Sequence, residues 1–177
     1  DSGMAKFSGR SLLPLLASAQ SGQIDPARDH VLLGRERHDP GRPHNQGYPI
    51  RAIVQDNLLY LHNFATDRWP ACNPETGYLD VDDSPTKTFI LETRRQKGFD
   101  AHWELSFGKR PAEELYDLAA DPDCLVNLAA RPTLAARQAA LRERLFTALR
   151  AQGDPRMDGR DNFFDAFPYA NPNMNDL

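Results

Sequence analysis

The apolar residues of the chain are gathered into short runs separated by long polar stretches. Residues 30–34 form a continuous run of strand length, His-Val-Leu-Leu-Gly, with charged residues directly after it. A run of this kind is typical of a strand that is covered on both faces. The pattern therefore predicts a strand inside an α/β sheet rather than a strand at a sheet edge.

Alternating positions predict an antiparallel hairpin over residues 48–64. Residues 48–54 alternate as a strand does, and a second β-rich run covers residues 58–64. A short polar turn, Gln55-Asp56-Asn57, separates the two runs, as is typical of a hairpin. A further short strand is predicted over residues 113–118.

Helix signals predict one helix in the middle of the chain. Ser84 at the N-cap and Pro85 at the first helical position predict a helix that continues to about Lys97, with a glycine after it. Phe89 and Ile90 are predicted to form its buried face. A second, short helix is predicted over residues 101–107.

The strongest helical pattern covers residues 133–150 and ends at Gly153. Four leucines share one helical stripe, with arginines outside it: Leu134, Leu141, Leu145 and Leu149. The remaining segments carry little regular pattern. For residues 9–16 we predict a loop that leads into a turn and docks on a larger structure. We predict a long loop over residues 65–83. Residues 154–177 are predicted to form an extended arm that wraps another surface.

Composition places the chain among globular proteins with a modest core. Its 177 residues are 40% hydrophobic and 26% charged, with 14 prolines, 11 glycines and a mean hydropathy of −0.62. We expect one domain, or one large fragment of a bigger domain. The formal charge of −4 and the lack of a Lys/Arg block argue against a nucleic-acid partner, because such binding neutralises several phosphates.

Targeting and redox signals are few. No stretch approaches the roughly 20 apolar residues of a membrane span, and the start, Asp1-Ser2-Gly3-Met4, has no basic region followed by an apolar one. We therefore expect no membrane anchor and no export signal. Cys72 and Cys124 could form one bridge or stay reduced, so they leave the compartment open.

Residues 35–47 form the densest group of functional side chains. The segment has no aliphatic residue, and it follows directly after the run predicted to be a buried strand. Arginine forks and imidazoles suit sulfate, phosphate or carboxylate oxygens, and loops at the carboxyl ends of strands bind ligands. The predicted substrate-binding residues are Arg35, Glu36, Arg37, His38, His44, Tyr48 and Arg51. The alternative is a solvated loop whose arginines pair with Glu36 and Asp39.

Metal and nucleophile signals are weak. His38 and His44 lie six residues apart without a nearby cysteine, which does not match the usual zinc spacing. Asp80, Asp82 and Asp83 resemble the start of a calcium loop, but its glycine and distant glutamate are absent, so a solvated turn before Ser84 is predicted. Neither cysteine has a glycine-rich elbow or an obvious partner base, so no catalytic residue and no metal ligand is predicted.

A series of short sequence motifs resembles a known family. The motifs are Gly9 to Leu16, Gly34-Arg35-Glu36-Arg37-His38, Gly47 to Ile53, Leu59 to Phe64, and Glu114 to Leu118, followed by Asp121-Pro122 and Asn127-Leu128-Ala129. Their order and spacing, from about residue 9 to 153, resemble the C-terminal part of sulfatases. The resemblance is greatest to the heparan N-sulfatase (sulfamidase-like) branch.

The resemblance implies an alkaline-phosphatase-like α/β fold and hydrolysis of sulfate ester or sulfamate groups on a carbohydrate. In this family a formylglycine made from a Cys/Ser-x-Pro-x-Arg motif attacks sulfur, and a calcium ion stabilises the sulfuryl oxygens. This chain departs from the pattern, because residues 72–76 have Thr76 where the arginine belongs and stand in the wrong part of the order. Calcium and formylglycine are therefore expected in a missing N-terminal part, and the segment alone is expected to be inactive.

The resemblance also implies a division of the chain. Residues 1–47 would end the sulfatase core domain, with strand 30–34 in its larger sheet and loop 35–47 on the substrate side. Residues 48–153 would form a C-terminal α+β subdomain with a small antiparallel sheet and a long helix, and residues 154–177 an extended tail. The expected partners are a sulfated carbohydrate and the N-terminal core domain, with homo-oligomers possible, in a periplasmic, secreted or lysosomal-type compartment.

Two other classes of function stay open at this point. A stand-alone carbohydrate-binding or interaction module could have kept the loop 35–47 without the catalytic half. A phosphatase or phosphodiesterase of the same superfamily would share the fold and use a different nucleophile and more metal ligands.

Overall fold

The computed structural model describes residues 9–38, 41–74 and 77–168. Several sequence predictions concern positions outside these residues: the start at Asp1 to Met4, the pairing role of Asp39, the Glu75-Thr76 part of the motif comparison, and the tail from residue 169 onward.

Four antiparallel strands form one sheet. They are β1 His30–Arg35, β2 Ile50–Gln55, β3 Leu58–Asn63 and β4 Glu113–Asp117, in the order β1-β2-β3-β4. The predicted hairpin is confirmed as β2 and β3, and its turn residues Asp56 and Asn57 have positive φ values of 51° and 61°. Two consecutive residues with positive φ match the twist of a tight hairpin, which explains why the polar Asp-Asn pair occurs there.

The strand predicted over residues 30–34 forms, but its placement was wrong. It pairs with β2 and lies at the edge of the small sheet, not inside a larger one. Val31 is 56% exposed and Leu33 49% exposed, so one face of the strand is uncovered. A continuous apolar run indicates that both faces of the strand are apolar. Within the described ranges, only the face that carries Leu32 packs against the core.

Helices surround the sheet. They are α1 Leu13–Leu16, α2 Pro85–Lys97, α3 Ala101–Phe107 and α4 Ala135–Ala151, with 3₁₀ turns at Pro43–Asn45, Pro132–Leu134 and Pro155–Met157. Ser84 caps α2 as predicted, because its hydroxyl accepts the Lys87 N–H at 3.1 Å. Phe89 was predicted on the buried face of α2 and is instead 68% exposed, whereas Ile90 is partly buried. In the part of the chain that the structure describes, no helix is long and apolar enough to cross a membrane.

The main core lies between α4 and one face of the sheet. The predicted leucine stripe is confirmed: Leu141, Leu145 and Leu149 of α4 are buried, and Leu134 packs beside them. They meet a row of side chains that the strand register aligns, with Ile53 opposite Tyr60 and Tyr60 opposite Leu115. The fold of the described chain is therefore α+β, with a small antiparallel sheet and a C-terminal helix packed on it.

A smaller core joins α3 to the long loop 65–83. Trp103 and Phe107 of α3 are buried with Ala71, and Trp69 and Tyr78 pack against them. The Trp69 and Trp103 rings meet edge to face with centroids 6.1 Å apart. This aromatic cluster fixes the loop against the helix, although the described residues of the loop form no helix or strand.

The described part of the tail was wrongly predicted to be extended. Residues 154–168 form a 3₁₀ turn followed by consecutive turns, and they contact the chain's own loop. The Asp165 carboxylate accepts the Gly47 N–H at 2.8 Å and pairs with Arg68 at 3.0 Å. The tail therefore belongs to the folded unit that surrounds the candidate loop.

Candidate functional site

A cluster of buried charged side chains anchors the loop between β1 and β2. The Arg51 Nε donates to Asp154 at 2.6 Å, and its Nη2 donates to Glu36 at 2.6 Å. The Arg156 guanidinium also donates to Glu36, with its Nε 2.8 Å from Oε1. Arg51 and Arg156 are both buried. Two of the predicted substrate-binding residues, Glu36 and Arg51, are thus committed to internal ion pairs.

The charges in this cluster stabilise one another. Burial alone raises the pKa of Asp154, but the hydrogen bonds from Arg51 and from the Arg156 N–H lower the pKa below its usual value. Burial likewise lowers the pKa of Arg51, and its hydrogen bonds to Asp154 and Glu36 raise the pKa above its usual value. Both partners are therefore charged at neutral pH, and this charge state holds the tail against the sheet.

The free energy of unfolding is expected to fall as the pH drops below about 4. The folded-state pKa of Asp154 lies below the unfolded value of 3.8, so its stabilisation is complete above that value and is lost as the pH falls through the folded pKa. Urea denaturation across this window measures the slope. We expect Asp154→Asn to be less stable at neutral pH and to lose less stability on acidification than the wild type, and equal slopes would contradict this role.

A second charge group forms around the buried Asp80 carboxylate, which lies in the long loop 65–83. The Asp80 carboxylate accepts hydrogen bonds from Arg35 at 2.7 Å and from Arg42 at 2.6 Å. Arg42 is buried and also donates to the carbonyl oxygens of Trp69 and Pro70. The prediction of a solvated turn was wrong for Asp80, whose side chain is only 1% exposed, whereas Asp82 and Asp83 are exposed as predicted.

Backbone contacts fix the path of the loop. Arg37 donates to the carbonyl oxygens of Asn45 at 3.0 Å and of Phe167 at 2.8 Å. Gly47 has no side chain, and a Cβ atom there would lie 2.8 Å from the Glu36 carbonyl oxygen. A glycine is therefore required where the two ends of the loop approach each other.

The seven predicted residues have unlike surroundings. Glu36 and Arg51 are in the buried ion cluster, and Tyr48 is almost completely buried. Arg35, His38 and His44 are exposed residues, and His44 stands on a left-handed backbone with φ of 58°. Arg37 is half-buried. Of the seven residues, Arg35, His38 and His44 are therefore the ones whose exposed side chains can contact a ligand. Glu36 and Arg51 instead hold the loop in its conformation.

Sequence reasoning missed the partners that hold the loop. Arg42, Asp154, Arg156 and Asp165 all contribute buried or half-buried contacts to it. One signal was available, because Asp154-Pro155 is a good helix start, and the Asp154 carboxylate does accept the Arg156 N–H at 3.0 Å. The sequence of the loop does not indicate that Asp154, Arg156 and Asp165 of the tail are its partners.

Cys72 and Cys124 form no disulfide with each other. Burial raises the pKa of the Cys72 thiol to about 11, and burial also raises the pKa of Cys124. Both thiols are therefore protonated at neutral pH, which does not suit a nucleophile. Over the described ranges, no group of three or more His, Cys, Asp or Glu side chains is arranged to hold a metal ion.

No protein-family model matches the chain, and no curated protein matches it significantly.

Proposed function

We propose that this chain is the C-terminal segment of a sulfatase that hydrolyses sulfate ester or sulfamate groups on a carbohydrate. The proposal rests on the ordered series of sequence motifs that resembles the C-terminal part of sulfatases. One motif ends β1 and enters the loop, the next begins before β2 and continues into it, and two more cover most of β3 and β4. The first motif, Gly9 to Leu16, includes α1, and the last residues of the series follow β4. Four of the motifs thus lie in the sheet on which the candidate loop is built.

In this proposal the loop 35–47 forms one wall of the substrate pocket. Arg35, His38 and His44 are its exposed members and would contact sugar hydroxyls, carboxylates or sulfate oxygens. Glu36 and Arg51 would not touch substrate, because their charges are satisfied by Asp154 and Arg156. Their role is to keep the loop backbone in place, which is what a binding loop on a rigid scaffold requires.

The catalytic domain is the proposed partner. It would supply the formylglycine and the calcium ion, and the uncovered face of β1 offers it an apolar contact through Val31 and Leu33. The opening segment adds Leu13, which is 72% exposed, and Leu16. Arg28, just before β1, donates to the carbonyl oxygens of the opening segment and holds it beside the strand. Exposed apolar groups of this kind mark interaction surfaces.

The isolated chain is expected to show no hydrolysis of an aryl sulfate with calcium present. In the longer protein that includes the sequence encoded before Asp1, we expect turnover of the same substrate. His38→Ala in that protein should raise KM for a sulfated disaccharide about tenfold, because a charge-assisted contact is lost.

His102→Ala is the matched control, since His102 is an exposed histidine on α3, away from the loop. Its KM should equal that of the wild type. Aryl sulfate turnover by the isolated chain, or equal effects of the two substitutions, would contradict the proposal.

A further inference from the structure

A cleft lies on the face of the sheet that is opposite α4. Its volume is about 400 Å³, and it separates the sheet from α3 and from the loop near Asp80. Leu59, Leu61 and Ile50 line its sheet side, and Leu105 of α3 lines the other side. This volume is at the small end of the range for ligand sites, which favours a molecule of about one sugar ring in size.

The polar floor of the cleft is built around a buried carboxylate. Glu114 accepts a hydrogen bond from the Asn63 amide nitrogen at 2.8 Å and another from the Tyr116 hydroxyl. Glu114 and Asn63 are both buried, and all three residues line the cleft. Both donors belong to the protein itself, so the buried Glu114 carboxyl group already has hydrogen-bond partners within the fold.

Two buried polar atoms at this floor have no hydrogen-bond partner among the residues that the structure describes: the Asn63 Oδ1 and the Tyr48 hydroxyl. The Asn63 amide nitrogen donates to the oxygens of both Pro111 and Glu114, so a flipped amide would place oxygen against oxygen. The amide orientation is thus fixed, and its oxygen is left as an acceptor. Buried polar groups without partners are rare in native proteins, and a ligand is one way to satisfy them.

The two unpaired atoms offer complementary chemistry. Burial and the nearby Glu114 charge raise the pKa of Tyr48 to about 12, so its hydroxyl stays protonated and can donate. The Asn63 oxygen can only accept. A hydroxyl group both donates and accepts, so adjacent hydroxyls of one molecule satisfy both atoms.

We propose that this cleft binds a neutral polyhydroxyl molecule of monosaccharide size. Its hydroxyls donate to the Asn63 oxygen and accept from the Tyr48 hydroxyl, and its apolar ring face lies on Leu59 and Leu61. A neutral ligand fits because the Asp80 charge is already balanced by arginine partners, and Arg110 lines the cleft near Glu114. Arg35 of loop 35–47 also lines this cleft, but the two groups proposed to bind the ligand, the Asn63 oxygen and the Tyr48 hydroxyl, are not exposed side chains of that loop. The site therefore does not depend on the sulfatase proposal.

The experiment is a protein-observed NMR titration with methyl glucopyranoside and with inositol as probes. Two small-molecule hydrogen bonds and one ring face give millimolar affinity, so the titration extends to about 50 mM. We expect saturable shifts at the amides of Leu59, Leu61 and Glu114. Tyr48→Phe should weaken binding at least about fivefold, because it removes one donor without changing the ring.

Tyr60→Phe is the matched control, because the Tyr60 hydroxyl donates to Glu113 on the α4 side of the sheet. Its probe affinity should equal that of the wild type. The melting temperature of unliganded Tyr48→Phe should match or exceed that of the wild type, since no internal bond is lost. Absence of saturable shifts, equal probe binding by Tyr48→Phe and the wild type, or a lower melting temperature of unliganded Tyr48→Phe would overturn the proposal.

Discussion

Leu145→Ala is expected to lower the free energy of unfolding by about 3–5 kcal/mol. Leu145 is completely buried and lies in the middle of the leucine stripe of α4. Its removal would leave a cavity against the row formed by Ile53, Tyr60 and Leu115. Because the surrounding side chains relax only partially, we expect most of this cavity to remain. Urea denaturation monitored by far-UV circular dichroism measures the effect.

Leu13→Ala serves as the control for this prediction. Leu13 is a largely exposed leucine of α1, and its substitution should change stability by less than about 0.5 kcal/mol. Equal effects of the two substitutions would mean that α4 does not pack on the sheet as described.

Arg156→Met is expected to lower the free energy of unfolding by about 3 kcal/mol, because it leaves the Glu36 carboxylate without one of its two buried cations. The methionine keeps most of the side-chain volume, so the loss is mainly electrostatic. The damage should be local first: amide hydrogen exchange should accelerate at Gly47 and Tyr48, whose amides are tied to the tail and to Glu36. Denaturation together with hydrogen exchange checks both effects.

Arg160→Met provides the comparison for the buried cluster. Arg160 pairs with Asp158 on the surface, where half of each side chain is exposed, and such pairs contribute less than about 1 kcal/mol. A Glu36→Gln and Arg156→Met double variant should recover part of the loss, since no buried charge is then left unpaired. If Arg156→Met is as mild as Arg160→Met, the tail does not hold the loop.

Elements with strong local signals could be predicted from the sequence. The Asp56-Asn57 turn specifies a tight hairpin, Ser84-Pro85 specifies a helix start, and the leucine stripe of α4 has a clear helical period. The position of β1 could not be predicted in the same way. Residues 31–33 are apolar on both faces, and the pattern does not say whether a second face is covered by the same chain.

The organisation of the candidate site depends on contacts between residues far apart in the sequence, and no local sequence pattern predicts such contacts. The loop 35–47 is charged and lacks aliphatic residues, so its density of functional groups was visible in the sequence. Whether each charge faces outward depends on Asp154, Arg156 and Asp165, which are more than 100 residues away in the sequence. Arg51 and Glu36 were therefore predicted as ligand contacts, although the structure engages both in internal ion pairs.

The most direct test of the central claim is to compare kcat/KM for a sulfate ester and for the matching phosphate ester. The measurement uses the longer protein that the proposed function requires, with calcium and after formylglycine maturation. We expect sulfate to be hydrolysed at least about a hundredfold more efficiently, equivalent to about 2.7 kcal/mol of transition-state discrimination. Preferential hydrolysis of the phosphate ester, or no hydrolysis of either ester, would contradict the account.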